Sequence, residues 1–322
     1  GIDVGSIVSE NDTTVIVVAG LTSNTDGVEG DVVLHTSDDS VITETNGFTY
    51  IQLSDIHGVS PSSGQTGTSV TISGIELLAG ASSVSSVTLA GITATVQSAS
   101  ETEIVVVAVA SSSAQTGDVV ITSSSGATIL LNEGWSYVAP ASVDSISPTT
   151  GQIGTRITIS GSGLLVGGSE IDELQLAGAA VQEVVSASET AIVVIAATNG
   201  SASTGIISYT VTSGAAVESA SSVTWTYLEA SVIDAVTPNS GRQGTAVLIT
   251  GSNMLGGGAS ITTVTLAGES ADVASGNDTH VAVVAVASDT AGLGHVVVTA
   301  NTGAVTTAEG AWTYLASSID SI

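Results

Sequence analysis

The sequence has no cysteine and no lysine, only four prolines, and among aromatics one phenylalanine, three tryptophans and five tyrosines. Each shortage excludes something. Without cysteine there are no disulfides, no thiolate nucleophile and no thiolate metal site, and cysteine usage gives no reading of redox compartment. Arg156 and Arg242 are the only fixed cations beside 30 acidic residues, for a formal charge of −28. Nucleic-acid binding needs clustered cations that displace counterions, so a nucleic-acid partner is excluded. An anionic membrane surface repels such a chain for the same reason. The longest purely apolar runs, such as Ile104–Ala110 and Val281–Ala287, have seven residues; a membrane helix needs about 18 or more. Membrane insertion is therefore not expected. No stretch keeps a 3.6-residue apolar period. No signal peptide is visible, and the chain opens on Gly1 rather than Met.

What remains is a chain of small and β-branched residues. Hydrophobic residues make up 43%, which argues against disorder. Valine, isoleucine and threonine favour the pleated surface of a sheet, because branching at Cβ packs well there and restricts χ1 in a helix. The uniform negative charge keeps the chain soluble. Its self-repulsion is screened within about 10 Å at 0.1 M salt, so saline surroundings suit it. Two arginines also leave few sites for trypsin-like proteases.

Internal repeats organise the chain. Val59-Ser-Pro-Ser-Ser-Gly-Gln-Thr-Gly-Thr68, Ile146-Ser-Pro-Thr-Thr-Gly-Gln-Ile-Gly-Thr155 and Val236-Thr-Pro-Asn-Ser-Gly-Arg-Gln-Gly-Thr245 align directly. Each leads into an apolar strand and a glycine: Val70-Thr-Ile-Ser-Gly74, Ile157-Thr-Ile-Ser-Gly161 and Val247-Leu-Ile-Thr-Gly251. An aromatic-x-Tyr marker closes each unit at Trp135/Tyr137, Trp225/Tyr227 and Trp312/Tyr314, and Phe48/Tyr50 carries the same marker earlier. The period is about 87 residues. The expected division is the back half of a repeat over 1–53, full repeats over 54–141, 142–230 and 231–317, and the start of another over 318–322, a window of a longer array.

In the second full repeat, strands are expected at Val143–Ser147, Arg156–Ser160, Glu173–Leu176, Val181–Ser186, Ala191–Ala196, Gly205–Thr212 and Val223–Leu228. About seven short strands per repeat, with turn signals between them, predict an all-β fold of tandem immunoglobulin-like β-sandwiches. Period-two alternation puts Trp225 and Tyr227 on one face. Phe48, Tyr50, Trp135, Tyr137, Trp225, Tyr227, Trp312 and Tyr314 are the expected core aromatics. Gly64 and Gly67, Gly151 and Gly154, and Gly241 and Gly244 are the expected turn residues, with positive φ expected at Gly151 and Gly154.

These motifs resemble the IPT/TIG family of immunoglobulin-like domains. Its pattern opens on an apolar-x-Pro-x-x-Gly-x-x-Gly-Thr turn, continues in a strand ending Thr-Gly or Ser-Gly, and closes on an aromatic-x-Tyr strand. The resemblance covers essentially the whole chain. Two departures stand out. Leu89-Ala-Gly91, Leu176-Ala-Gly178 and Leu266-Ala-Gly268 replace a frequent Phe-Gly, and Ala110, Ala197 and Ala287 stand where proline is common. The family occurs in surface receptors, bacterial surface proteins, carbohydrate-acting enzymes and transcription factors, so it implies the fold and leaves function to sites.

Candidate sites are sparse. Asn11-Asp-Thr13, Asn199-Gly-Ser201 and Asn277-Asp-Thr279 fit the N-glycosylation sequon. Triplets of this kind are common in a chain rich in serine and threonine, and Asn11 and Asn277 fall at the same turn of their repeats. Asp144, Asp234 and Asp320 recur at repeat joints with Glu229 near one of them, but Ca²⁺ needs 6–8 oxygen ligands and solvated charges explain them better. His35, His57, His280 and His295 have no metal-ligand spacing. No Gly-x-Ser-x-Gly elbow comes with a histidine and an acid. Gly161-Ser-Gly163 precedes no helix that could hold phosphate. Glu101 and Glu103 share a strand face with no counter-charge and read as solvated. No cofactor is expected.

The expected role is therefore non-enzymatic: a structural segment of an extracellular filament, appendage or surface stalk, glycosylated, self-associating through sheet edges. The alternative is an adhesin or glycan-binding array, which requires exposed aromatics for sugar stacking. A spacer within a large secreted enzyme is the third reading.

Overall fold

The computed structural model describes residues 2–20 and 28–316. The described residues form strands and turns, and no helix. They fall into two compact units, one within residues 1–138 and one within 139–322.

The first unit starts with two antiparallel hairpins, β1 (Ser6–Glu10) with β2 (Val15–Val18), and β3 (Val28–His35) with β4 (Val41–Tyr50). A complete sandwich follows: β5 (Asp55–Ser60), β6 (Ser63–Gly64), β7 (Ser69–Ile75), β8 (Val84–Leu89), β9 (Ile92–Ala99), β10 (Glu103–Val107), β11 (Gln115–Ser123) and β12 (Thr128–Tyr137). Its hydrogen-bonded order is β5-β7-β10-β9-β8-β11-β12-β6. The long β9 pairs with β8 at Ile92–Ala94 and with β10 from Thr95 onward, so one strand serves both layers. The pairing of β12 with β6 is parallel. Alternation decides the core. Val70 and Ile72, Ile104 and Val106, Val119 and Ile121, and Val87 and Leu89 are fully buried, while the residues between them face outward.

The second unit holds two such sandwiches. That of residues 232–314 repeats the eight-strand order. In the sandwich of residues 142–227 the strand expected over Val181–Ser186 is broken into Ala179–Ala180 and Glu183–Ala187, and the sheet divides into four and six strands. The closing strand is broken too, into Ala216–Glu218 and Thr224–Tyr227. Eleven positions separate Gly214 from Trp225, against nine between Gly126 and Trp135, and the extra residues are accommodated where Ser219 Oγ donates to Val223 O and accepts from Ile207 N. The two-residue strand Thr150–Gly151, absent from the sequence-based map, pairs parallel with Thr226–Tyr227.

Trp135, Trp225 and Trp312 are fully buried, and each meets its tyrosine edge to face at 5.6 Å. Burial of one such ring removes about 150–250 Å² from water, an upper bound of about 4–6 kcal/mol. Phe48 corrects the expectation. It meets Tyr50 edge to face at 5.0 Å, yet 47% of it is exposed, because among the described residues before β5 no counterpart of β5–β8 covers that face.

Candidate functional site: the joint between two sandwiches

The Gly-x-x-Gly-Thr turn is built the same way three times. The threonine Oγ1 accepts the backbone N–H of Gln65, Gln152 or Arg242 at 3.1 Å in each case. The first glycine makes room for that threonine: a Cβ on Gly64, Gly151 or Gly241 would lie 2.4–2.5 Å from the threonine Oγ1. Only the second glycine has positive φ, at 85°, 84° and 83° for Gly67, Gly154 and Gly244. The expectation of positive φ at Gly151 is thus corrected; that glycine is required by close approach. The turn is then tied to the sandwich by a pair of backbone bonds, as when Gly154 N donates to Ala196 O and Ala196 N to Thr155 O.

Within the second unit this turn meets the next sandwich. Arg156 N donates to Thr302 O at 2.9 Å and Val305 N donates to Ile153 O at 3.0 Å, a short backbone bridge across the joint. It closes over two glycines. A Cβ on Gly154 would lie 2.6 Å from Gly303 O, and one on Gly303 would lie 2.8 Å from Gly154 O. Gln152, 4% exposed, completes the joint: its Nε2 donates to Asn253 O at 2.9 Å, and its Oε1 accepts Ser231 N at 2.7 Å. A buried amide with both ends used is held in one orientation. Thr306 Oγ1 donates to Ser231 Oγ beside it. A cleft of about 220 Å³ flanks the joint, lined among others by Gln152, Thr198, Asn199, Tyr227, Ser231 and Thr306. The equivalent Gln65 of the first unit bonds differently: Nε2 donates to Ser111 O and Val138 O, and Oε1 accepts Ser111 N.

The three sequons differ in state. Asn11 Oδ1 accepts Thr13 N, Thr13 Oγ1 and Thr14 N, and Asn277 Oδ1 accepts Thr279 N, Thr279 Oγ1 and His280 N. Both turns are exposed. Ser100 and Ser188 cap the same turn through their Oγ, so a side-chain oxygen there has a structural reason of its own. Asn199 is arranged otherwise, with Nδ2 donating to Ser201 O and Ser203 Oγ.

Next to that turn, Glu101, Glu189 and Asp278 accept the backbone N–H of Leu78, Leu165 and Leu255. This corrects the reading of Glu101 as merely solvated; the motif recurs in all three sandwiches and sequence reasoning missed it. Asp144 accepts the Ser142 hydroxyl. Among the described residues no three acidic or histidine side chains group as metal ligands, and Asp320 lies outside those residues. His57 stands 3.7 Å from Asp55, His280 Nδ1 pairs with Thr279 Oγ1, and His295 Nδ1 accepts Gly310 N. Burial pushes the Tyr137, Tyr227 and Tyr314 phenols above the ordinary 10.0. Tyr209 rises further, and its hydroxyl donates to Leu164 O.

Comparison with known proteins gives a family profile described as IPT/TIG domain, matching residues 54–137, 141–227 and 231–314. No curated protein matches by sequence. Similar solved structures include the extracellular region of plexin A4, at 17% identity and a TM-score of 0.46, covering 81% of this chain and 24% of that one. The Bacteroides ovatus mixed-linkage glucan utilization locus SGBP-B is 14% identical with a TM-score of 0.24, covering 92% of this chain and 71% of that one. Sidekick-1 immunoglobulin domains 1–5 are 12% identical with a TM-score of 0.22, covering 96% and 70%. The chain thus spans about a quarter of the plexin's length.

Proposed function

The chain belongs to the IPT/TIG domain family, and from that premise we propose that it is a non-catalytic structural segment of an extracellular fibre or surface stalk. The joint between residues 142–227 and 231–314 carries this reading. A backbone bridge, two glycines in close approach and a buried glutamine amide fix one sandwich on the next, which is what a load-bearing array needs and a flexible tether does not. Repeats that contact only their neighbours add stability roughly unit by unit. The scarcity of cations suits exposure to proteases and salt outside the cell. Self-association and N-linked sugar at the exposed turns of Asn11 and Asn277 belong to the same proposal, as does independence from calcium. Antibody-labelled electron microscopy of the native source tests it. Label along regular surface fibres or stalks is expected; label confined to the cell interior contradicts it.

The second reading is glycan binding at the surface. The cleft beside the joint favours it, since amides and hydroxyls dominate its polar lining. The Tyr227 ring is buried and offers no face for a sugar to stack on. A glycan array probed with the chain separates the two: saturable binding lost in Asn199→Ala supports the second reading, and silence supports the first.

A further inference from the structure

The opening turn of the last sandwich repeats the mated turn of the one before it, and among the described residues no second sandwich packs against its glycine. Gly154 is packed against Gly303, whereas a Cβ on Gly244 would meet nothing within 4 Å. Gln152 is buried in its joint, and its counterpart Arg242 is exposed. The guanidinium donates to Ala316 O, the backbone that follows the sandwich, much as Gln152 holds Ser231 N.

The complement lies near the other end of the chain. In the joint, the docking element is the turn Ala300–Val305, where Ala300 N donates to Ala304 O and Gly303 N to Ala300 O. The turn between β3 and β4 has the same two bonds, from Thr36 N to Ser40 O and from Asp39 N to Thr36 O. Asp39, at φ 64°, therefore takes the place of Gly303, and Asp38 that of Thr302. Where the other turns carry Gly126, Gly214 or Gly303 and no charge, this one carries two carboxylates. Asp38 orders the turn by accepting Thr36 Oγ1 and Ser40 N. The amide of Gln152 stands beside the docked turn: a Cβ on Gly256 would be 2.9 Å from its Nε2 and 2.5 Å from Ala304 Cβ.

We propose that the opening turn of the last sandwich docks the acidic β3–β4 turn of a second copy of this chain, Arg242 of one copy facing Asp38 and Asp39 of the next. This rests on the structural reading above and names its self-association surface. The contact is not a duplicate of the internal joint. A side chain at the Gly303 position meets the facing glycine carbonyl, so Asp39 holds the two turns slightly apart, and the smaller Ala246 in place of Arg156 widens the space. The charge pair then selects which surfaces meet in a chain whose net negative charge repels its copies, the role in which electrostatic complementarity is most effective.

Sedimentation velocity of the full chain at 0.15 M salt tests the contact, with folding of each variant checked by its melting curve. Concentration-dependent association is expected, weakened roughly tenfold or more by Arg242→Glu or by Asp39→Arg, since like charges then face each other. The chain carrying both substitutions should regain it. A chain that stays monomeric, association indifferent to Arg242→Glu, or failure of the double variant to recover overturns the proposal. If the native protein labels surface fibres while the isolated chain does not associate, this contact falls and the proposed function stands.

Discussion

The hairpin of β3 and β4 and that of β11 and β12 are the same object in two settings. Both run from a Tyr pair (Val28 with Tyr50, Gln115 with Tyr137) to a shift in register after Gly30 or Gly117. In both, an aspartate at the bulge accepts a backbone N–H from a residue with positive φ: Asp31 from Asn46, Asp118 from Glu133. Yet Phe48 is 47% exposed and Trp135 is fully buried. Pairing, register and bulge are encoded within the hairpin; burial is supplied by strands distant in sequence.

Four experiments break or sharpen that contrast. The largest effect is expected from Trp135→Ala, about 3–5 kcal/mol of destabilisation by loss of a fully buried ring. Phe48→Ala should cost less than about 1 kcal/mol, because much of the ring is already in water. Denaturant titration of both variants decides this, and equal losses would refute it.

Alkaline pH comes next. Burial raises the Tyr137, Tyr227 and Tyr314 phenols above 10.0, so the folded state holds the neutral form more strongly than the unfolded chain does. Their stabilising contribution is complete below pH 10 and falls as pH rises through the higher folded values. Melting temperature should decline above about pH 10, with tyrosinate absorbance appearing on unfolding. Ionisation of all five tyrosines at pH 10 in the folded protein would contradict this.

The third compares Gly303→Ala with Gly126→Ala. Both glycines have φ of 87°, so both variants carry the same left-handed strain of about 1–2 kcal/mol. Only the Gly303 Cβ meets another sandwich, at Gly154 O. Melting should fall in both, and further in Gly303→Ala, while proteolysis near Ser231 should accelerate only in Gly303→Ala. The smallest effect is expected from Asp31→Ala and Asp118→Ala. Each loses one bond to an exposed backbone N–H, about 0.5–1 kcal/mol at most, and hydrogen exchange at Asn46 and Glu133 should rise alike.

These contrasts show what was legible in the sequence. The opening turns, closing aromatics and 87-residue period mark each sandwich because turn chemistry and alternation are local. Gly151 could not be distinguished from Gly154 that way, since one answers to φ and the other to a threonine four residues on. Phe48 matched its motif in spacing, but the motif carries no information on whether a covering sheet is present. The joint was the least legible part. Gln65 and Gln152 occupy the same turn position with different partners, and those of Gln152 lie 79 and 101 residues ahead. The approach of Gly154 to Gly303 joins two turns 149 positions apart, and no local pattern signals it.

The rigidity of that joint is the central claim, and the absence of cysteine makes it directly measurable. Spin labels introduced through Asp172→Cys and Thr263→Cys would be the only two in the chain, one on each sandwich of the second unit. Double electron–electron resonance should give a single narrow distance distribution that broadens in Gly303→Ala. A broad distribution in the otherwise unaltered chain would contradict the account.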